Sequence, residues 1–300
     1  MKIVVDDKCT NKEHFESCSK FLSDFLMQHI RSYSTSSLKY FVIADSDSDK
    51  FHNTVKYYAE QLNTECHVND TEMYQVAGKS LEGIDNDGVY SQVIVVKSFL
   101  VLGMLSDLIN LEKFLNGESI EDSNVQWIGL MTILHELGHA IDNEIIYNQT
   151  ETVNLRVFFD LSKKEDYDEY FKKQAISLWS EFFAESFVFN SCPLLRRMKT
   201  YKNDEVLNCI KNYRGEGITP DARAHRILYL FIHVIAHNKG VGFDYSVFDG
   251  YKQYIDIFKE VERILFDLLD KYPNINVSND FSDLSKVFEK LCVYVQRYGF

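Results

Sequence analysis

The sequence has no apolar run of 18 residues, which is about the length that a helix needs to cross a membrane. It also has no polybasic run, and the formal net charge at pH 7 is −13. Nucleic acids and anionic membranes attract proteins with a positive surface. The charge balance therefore disfavours both as partners, and we expect neither a membrane span nor nucleic-acid binding.

Cysteine is scarce as well. The six cysteines lie far apart and form no C-x-x-C pair. Sparse cysteines in a chain of 300 residues are typical of reduced thiols in a cytoplasm, not of a disulfide framework. The start of the chain, MKIVVDD, has an apolar run shorter than the core of a secretory signal. We expect a cytoplasmic protein, and a mature secreted form whose signal was removed remains the alternative.

Hydrophobic residues make up 45% of the chain, enough to form a buried core. Up to residue 98, strand-like runs at 38–45, 73–78 and 90–98 alternate with helical spacing at 12–31 and 49–63, and the turn-rich LEGIDNDG (81–88) separates the last two strands. Beyond residue 98 the spacing is helical in seven segments: 99–116, 124–146, 165–190, 192–213, 220–238, 250–271 and 281–297. This order predicts an α+β fold with a small mixed sheet and a mostly helical C-terminal part.

The segment HELGH (135–139) carries the strongest chemical signal. On a helix, His135 and His139 lie one turn apart on the same face, where both imidazoles can bind one zinc ion. Glu136 lies about 100° further around the helix axis, where its carboxylate can hold a reacting water. This H-E-x-x-H arrangement is typical of zinc metalloproteases, with the glutamate as general base. The alternative is an amphipathic helix that carries two histidines by chance.

A catalytic zinc ion needs a third protein ligand and one open coordination position. A metzincin would supply a histidine six residues after His139, but that position is Ile145, and Asp142 stands where the metzincin glycine belongs. Glu144 faces away around the same helix. The third ligand must therefore come from another segment.

The segment SLWSEFFAESFVF (177–189) offers two carboxylates one helical turn apart, Glu181 and Glu185, in apolar surroundings. Buried carboxylates are costly unless they are paired or bind a metal. We predict that Glu181 is the third ligand and that Glu185 accepts a hydrogen bond from the ring N–H of a ligating histidine. The alternative is a pair of glutamates on the exposed side of a half-buried helix.

HELGHAID, followed 42 residues later (139 to 181) by EFFAESF, resembles the gluzincin metallopeptidases. Within them it is most similar to the anthrax lethal factor-like domain family, and the resemblance covers residues 130–190. It implies a zincin-like fold and one zinc ion per chain, with His135, His139 and Glu181 as ligands and Glu136 as base. Together with Glu185, Asp142 is expected to support the ligands without binding the metal.

The sequence offers several candidates for the residue that donates a hydrogen bond to the oxyanion. The resembling family places a tyrosine about two helical turns before the glutamate ligand, and this chain has Gln174 there. Tyr170 is one turn further upstream, and thermolysin-like relatives use a later histidine, for which His233 and His237 are candidates. Since the helix around these histidines is mostly apolar, they could equally be core residues.

These patterns predict a zinc-dependent endopeptidase that is selective for few protein substrates, or else a zinc-binding regulatory module without hydrolysis. We expect a catalytic domain over residues 1–200, with an α/β lobe (1–120) and active-site helices (124–190), and a helical C-terminal subdomain over 201–300. Such enzymes commonly bind an extended protein or peptide substrate along an edge strand. We predict that 90–98 is that strand, with Val96 and Lys97 near the substrate.

Overall fold

A computed structural model describes nine stretches of the chain: 1–33, 36–64, 76–116, 127–153, 167–198, 219–239, 245–248, 252–277 and 279–298. The chain divides into two units, Met1–Val153 and Asn154–Phe300. The predicted α+β class is confirmed, because most described residues are helical and four strands form one mixed sheet. The boundary expected at residue 200 lies outside the described residues, so that domain division stays a prediction.

The sheet of unit 1 has the order β1-β2-β4-β3. Its strands are β1 (Lys2–Val5), β2 (Leu38–Ala44), β3 (Gly78–Ile84) and β4 (Tyr90–Lys97). β1, β2 and β4 are parallel, and β3 is antiparallel to β4. Every residue of β4 is buried, as expected of a central strand that is covered on both faces.

Four helices complete unit 1: α1 (Lys12–Ile30), α2 (Ser48–Gln61), α3 (Ser98–Leu115) and α4 (Ile128–Thr150). α2 begins where the carboxylate of Asp47 accepts hydrogen bonds from the backbone N–H groups of Asp49 and Lys50. Its buried side, including Phe51 and Val55, joins a core cluster with residues of β2, β3 and β4. α1, α2, β2 and β4 therefore lie where the spacing predicted helices and strands. The strand expected at 73–78 is displaced: β3 begins only at its last residue, Gly78, and residues 73–75 lie outside the described part of the chain.

The turn expected over residues 81–88 is shorter than predicted, because residues 81–84 belong to β3. The chain reverses after that, where Asp85 N–H donates to Val89 O and Gly88 has a φ of 77°. The glycine inside the strand has another cause. A Cβ at Gly83 would lie 2.1 Å from the carbonyl oxygen of Leu62, so only glycine lets β3 pass this close.

Unit 2 contains α5 (Tyr167–Ser191), α6 (Pro193–Met198), α7 (Pro220–Asn238), α8 (Lys252–Lys271) and α9 (Ser282–Tyr298). α5, α7 and α9 pack against one another. Trp179 is fully buried in α5, with ring contacts to Phe182, Phe183, Tyr272 and Phe281. Among the described helices of both units, none combines the length and apolar character of a membrane span.

Candidate metal centre

Glycine determines how α4, the helix that carries HELGH, packs against α3. A Cβ at Gly129 would lie 2.3 Å from the backbone nitrogen of Met104 and 2.5 Å from the carbonyl oxygen of Leu100. The two helix backbones are therefore in direct contact at this point. Asp107 of α3 adds a polar contact, since its carboxylate accepts a 3.0 Å hydrogen bond from Leu130 N–H at the start of α4.

Polar contacts fix the other half of α4. The buried carboxylate of Glu144 accepts hydrogen bonds from the backbone N–H and the hydroxyl of both Ser36 and Ser37, at 2.6–3.2 Å. Gln92 of β4 donates from its side-chain nitrogen to Ala140 O and to the Ser37 hydroxyl, both at 2.8 Å. Glu144 therefore has a structural role, and α4 is oriented along most of its length.

Between these anchors, α4 presents the two histidines side by side. The Nε2 atoms of His135 and His139 are 3.0 Å apart, and the rings are nearly perpendicular. Two imidazole nitrogens that bind one tetrahedral zinc ion are separated by about 3.3 Å. A small rotation of either side chain therefore converts the observed pair into a pair of metal ligands.

Glu136 lies beside the start of β3. A Cβ at Gly78 would be 2.9 Å from Glu136 Cγ and 3.2 Å from its Oε1, so the glutamate side chain fills the space that a larger residue at 78 would need. Glu136 is 9% exposed, so its carboxylate is largely withdrawn from bulk water.

In unit 2, α5 and α7 bring their polar side chains together in register. The hydroxyl of Tyr229 lies 3.4 Å from Oε2 of Glu181. One turn further along both helices, Nδ1 of His233 lies 2.9 Å from Oε1 of Glu185. Burial lowers the pKa of His225 to about 4, although the nearby carboxylate of Glu181 opposes this shift. Two carboxylates of α5 thus each have a partner on α7.

His135, His139 and Glu181 form a group that could hold a metal ion. Each offers one ligand atom, and these atoms all lie within 4.8 Å of one another. Two imidazole nitrogens and one carboxylate oxygen form a donor set suited to a divalent transition metal, with room for a further ligand. Among the described residues, no other group of three such side chains is this close.

Of the remaining predicted side chains, three are buried and His233 is partly buried. Asp142 is fully buried in α4, two residues before Glu144, whose hydrogen bonds anchor this half of the helix. The hydroxyl of Tyr170 is buried, and burial raises the pKa of this tyrosine. Both ring nitrogens of His233 and of His237 are also buried, and the His237 ring packs edge-on against Phe189. The catalytic and supporting roles of these residues stay predictions.

The prediction that 90–98 forms the edge of the sheet is wrong. β4 is paired on both sides: Val96 is opposite Ile43 of β2 and Gly78 of β3, and Lys97 N–H donates to Ala77 O. Its backbone groups therefore cannot bind an extended peptide. The ammonium of Lys97 contacts the Ser48 hydroxyl, so the assignment of Val96 and Lys97 to substrate binding loses its basis.

Two further residues lie at this site that the sequence motifs do not indicate, Gly78 and Tyr229. A lone glycine at the start of a strand signals close approach by a neighbouring group, and Glu136 is that neighbour at Gly78. Tyr229 belongs to a series at intervals of four in α7, together with His225, His233 and His237. That spacing places the four side chains along one side of the helix, so the tyrosine belongs to the same polar row as the three histidines.

Comparison with models of known protein families, with curated proteins and with solved structures finds no match for this chain.

Proposed function

We propose that this protein is a zinc-dependent endopeptidase with a zincin-like fold of the gluzincin type. The observation that carries the proposal is the arrangement on α4, where two histidine Nε2 atoms lie 3.0 Å apart and Glu136 stands between them in sequence. The proximity of a Glu181 carboxylate oxygen to these nitrogens supports it further. A chain that only retained zinc would need neither a base nor an open coordination position.

His135, His139 and Glu181 would hold the zinc ion, which when bound lowers the pKa of a water molecule and polarises the peptide carbonyl. Glu136 accepts a proton as the water oxygen bonds to the carbonyl carbon. The carbon–nitrogen bond then breaks, and Glu136 passes that proton to the departing amine. One peptide bond and one water become a carboxylate and a protonated amine.

The substrate would lie along β3, because β4 has no unpaired side. Within the described residues, β3 pairs with β4 alone, and its first residue lies against the Glu136 side chain. An extended peptide that pairs with β3 would therefore pass close to the proposed base. Pairing through the backbone would bind many sequences, so selectivity for few proteins would come from side-chain contacts.

A peptide library derived from a proteome provides the test, with new termini identified by mass spectrometry after incubation with zinc-loaded protein. We expect Glu136→Gln to reduce cleavage by about 10²–10⁴-fold, because it removes a general base. Bound zinc should remain at one ion per chain. Glu151→Gln is the matched control, since Glu151 follows the same helix and is exposed, and it should leave cleavage unchanged.

Cleavage that persists in Glu136→Gln or in chelator-treated protein would overturn the proposed mechanism. If one zinc ion per chain binds and no peptide or folded protein is cut, the alternative of a zinc-binding regulatory module replaces the enzyme. If no zinc binds at all, both functions fail together.

A further inference from the structure

Peptide hydrolysis places negative charge on the carbonyl oxygen, and a hydrogen-bond donor aimed at that oxygen accelerates the reaction. The following inference rests on the proposed function and concerns which side chain supplies this donor. The donor must be close to the proposed metal ligands and must be accessible to a substrate that arrives from solvent.

Burial separates the candidates. The hydroxyl of Tyr170 and the ring nitrogens of His233 and His237 are all withdrawn from solvent. His233 also has its Nδ1 against the carboxylate of Glu185. None of these atoms can meet a substrate carbonyl in this arrangement of side chains.

Tyr229 satisfies both requirements. Its side chain is 40% exposed, and its hydroxyl lies 3.4 Å from Oε2 of Glu181, one of the three proposed ligands. A separation of 3.4 Å is long for an O–H···O hydrogen bond, whose usual range is about 2.5–3.0 Å. This contact is therefore weaker than the hydrogen bond that the hydroxyl could donate to a well-placed acceptor.

Neighbours on α7 hold the Tyr229 ring in place. The His233 ring packs edge-on against it, with centroids 4.4 Å apart, and His233 is itself in contact with Glu185. On the other side, the His225 ring stacks at 6.4 Å. A donor whose ring is already oriented loses little entropy when the substrate arrives, which favours catalysis.

We propose that Tyr229 is the residue that stabilises the oxyanion, with Glu185 and His233 as residues that position it. As the water oxygen attacks the peptide carbonyl and Glu136 takes the water proton, the Tyr229 hydroxyl donates a hydrogen bond to the carbonyl oxygen. Tyr229 keeps its proton throughout. When the carbon–nitrogen bond breaks, the oxygen returns to a carboxylate and the hydroxyl returns to Glu181.

The test compares Tyr229→Phe with Tyr245→Phe. Tyr245 also places its hydroxyl on a glutamate in unit 2, 3.1 Å from Glu262, so the control removes the same group from a similar contact. Three quantities are measured on each zinc-loaded protein. They are kcat and KM on a peptide that the wild type cleaves, the zinc dissociation constant against a chromophoric chelator, and the affinity for acetohydroxamate.

For Tyr229→Phe we expect kcat to fall about 10²–10³-fold, as for the loss of one oxyanion donor, with KM and zinc affinity close to wild type. Hydroxamate binding should weaken, because its oxygens occupy the place of the reacting oxygens. Tyr245→Phe should match the wild type in all three quantities.

Unchanged kcat and hydroxamate affinity in Tyr229→Phe would overturn the assignment while the proposed enzyme stands. A loss of zinc affinity that accounts for the loss of kcat would also overturn it, since Tyr229 would then only hold the Glu181 ligand. A wild type that binds zinc but cleaves nothing overturns the enzyme and, with it, the donor. This outcome can be distinguished from unchanged kcat in Tyr229→Phe, because here neither the wild type nor any variant cleaves the peptide.

Discussion

The helix pair α3–α4 in unit 1 and the helix pair α5–α7 in unit 2 differ in what lies between the helices. At Gly129 the backbones of α3 and α4 touch, with no side chain between them. Between α5 and α7 lie whole side chains in register: Glu181 with Tyr229, Glu185 with His233, and Phe189 with His237. Direct backbone contact fixes one helix with little freedom, whereas spaced helices leave room for polar groups to face one another.

This difference suits the chemistry proposed for each pair. Two histidines that share one ion must be placed within a few tenths of an ångström, and a helix anchored by backbone contact provides that precision. Side chains that exchange partners during a reaction, such as Tyr229, need space and several neighbours. Opposite substitutions should therefore destabilise the two regions: a larger side chain between α3 and α4 in unit 1, and a smaller side chain in the packed interior of unit 2.

Removing volume from unit 2 should have the largest effect on stability. Trp179 is fully buried among aromatic rings, so Trp179→Ala should lower the free energy of unfolding by about 3–5 kcal/mol. Chemical denaturation followed by circular dichroism measures this loss, and fluorescence of Trp127 follows unit 1 in the same sample. Trp179→Phe is the control and should cost clearly less. A loss below about 1 kcal/mol for the alanine variant would contradict the aromatic core.

Adding volume to unit 1 should have the next largest effect. An alanine at 129 would place its Cβ 2.3 Å from backbone atoms of α3, so Gly129→Ala should cost about 1–3 kcal/mol or more. Gly103→Ala is the matched control, because its Cβ would lie 3.5 Å from the nearest atom, an ordinary contact. Equal unfolding free energies for the two variants would show that the helices are not in backbone contact.

The smallest effect on stability is expected at Gly78, where the change acts on the proposed base instead. The Cβ of Gly78→Ala would meet the flexible side chain of Glu136, which can move aside at little cost. Displacement of a catalytic group by about 1 Å can reduce kcat about 10²-fold, with zinc affinity retained. Ser80→Ala, two residues along β3, serves as control. A Gly78→Ala variant with wild-type activity would exclude close packing of β3 on Glu136.

Much of the helical structure could be predicted from the sequence. α7 was expected over 220–238 and begins after Thr219, whose hydroxyl accepts a hydrogen bond from Ala222 N–H. Such ends are local, because a cap and a proline at the first position act within one turn. The pattern of apolar residues at helical spacing is equally local, so each helix is visible without its partners.

Neighbours in the sheet could not be predicted in this way. A buried apolar run indicates a strand but not which strands lie beside it, so β4 was taken for an edge although it lies between β2 and β3. β1 was missed because only three apolar residues mark it, and its stability comes from pairing with β2. Pairing between distant segments is a property of the folded chain.

The candidate site shows the same distinction between relations within one helix and contacts between distant segments. His135, Glu136 and His139 were evident because their relation is set by one helix. Tyr229 was not evident, because its proximity to Glu181 depends on how α7 packs against α5. The role of Gly78 likewise depends on where β3 meets α4, and a glycine in isolation does not reveal its neighbour.

The contact of Glu144 with Ser36 and Ser37 has a consequence for how the protein is made. The contact joins residues 108 positions apart, and closing a loop of that length costs roughly 4 kcal/mol of chain entropy. During synthesis, the first strands and helices can form early, but α4 cannot reach its final orientation before residue 144 has left the ribosome. The final orientation of the histidine pair therefore depends on a contact whose two halves are synthesised 108 residues apart.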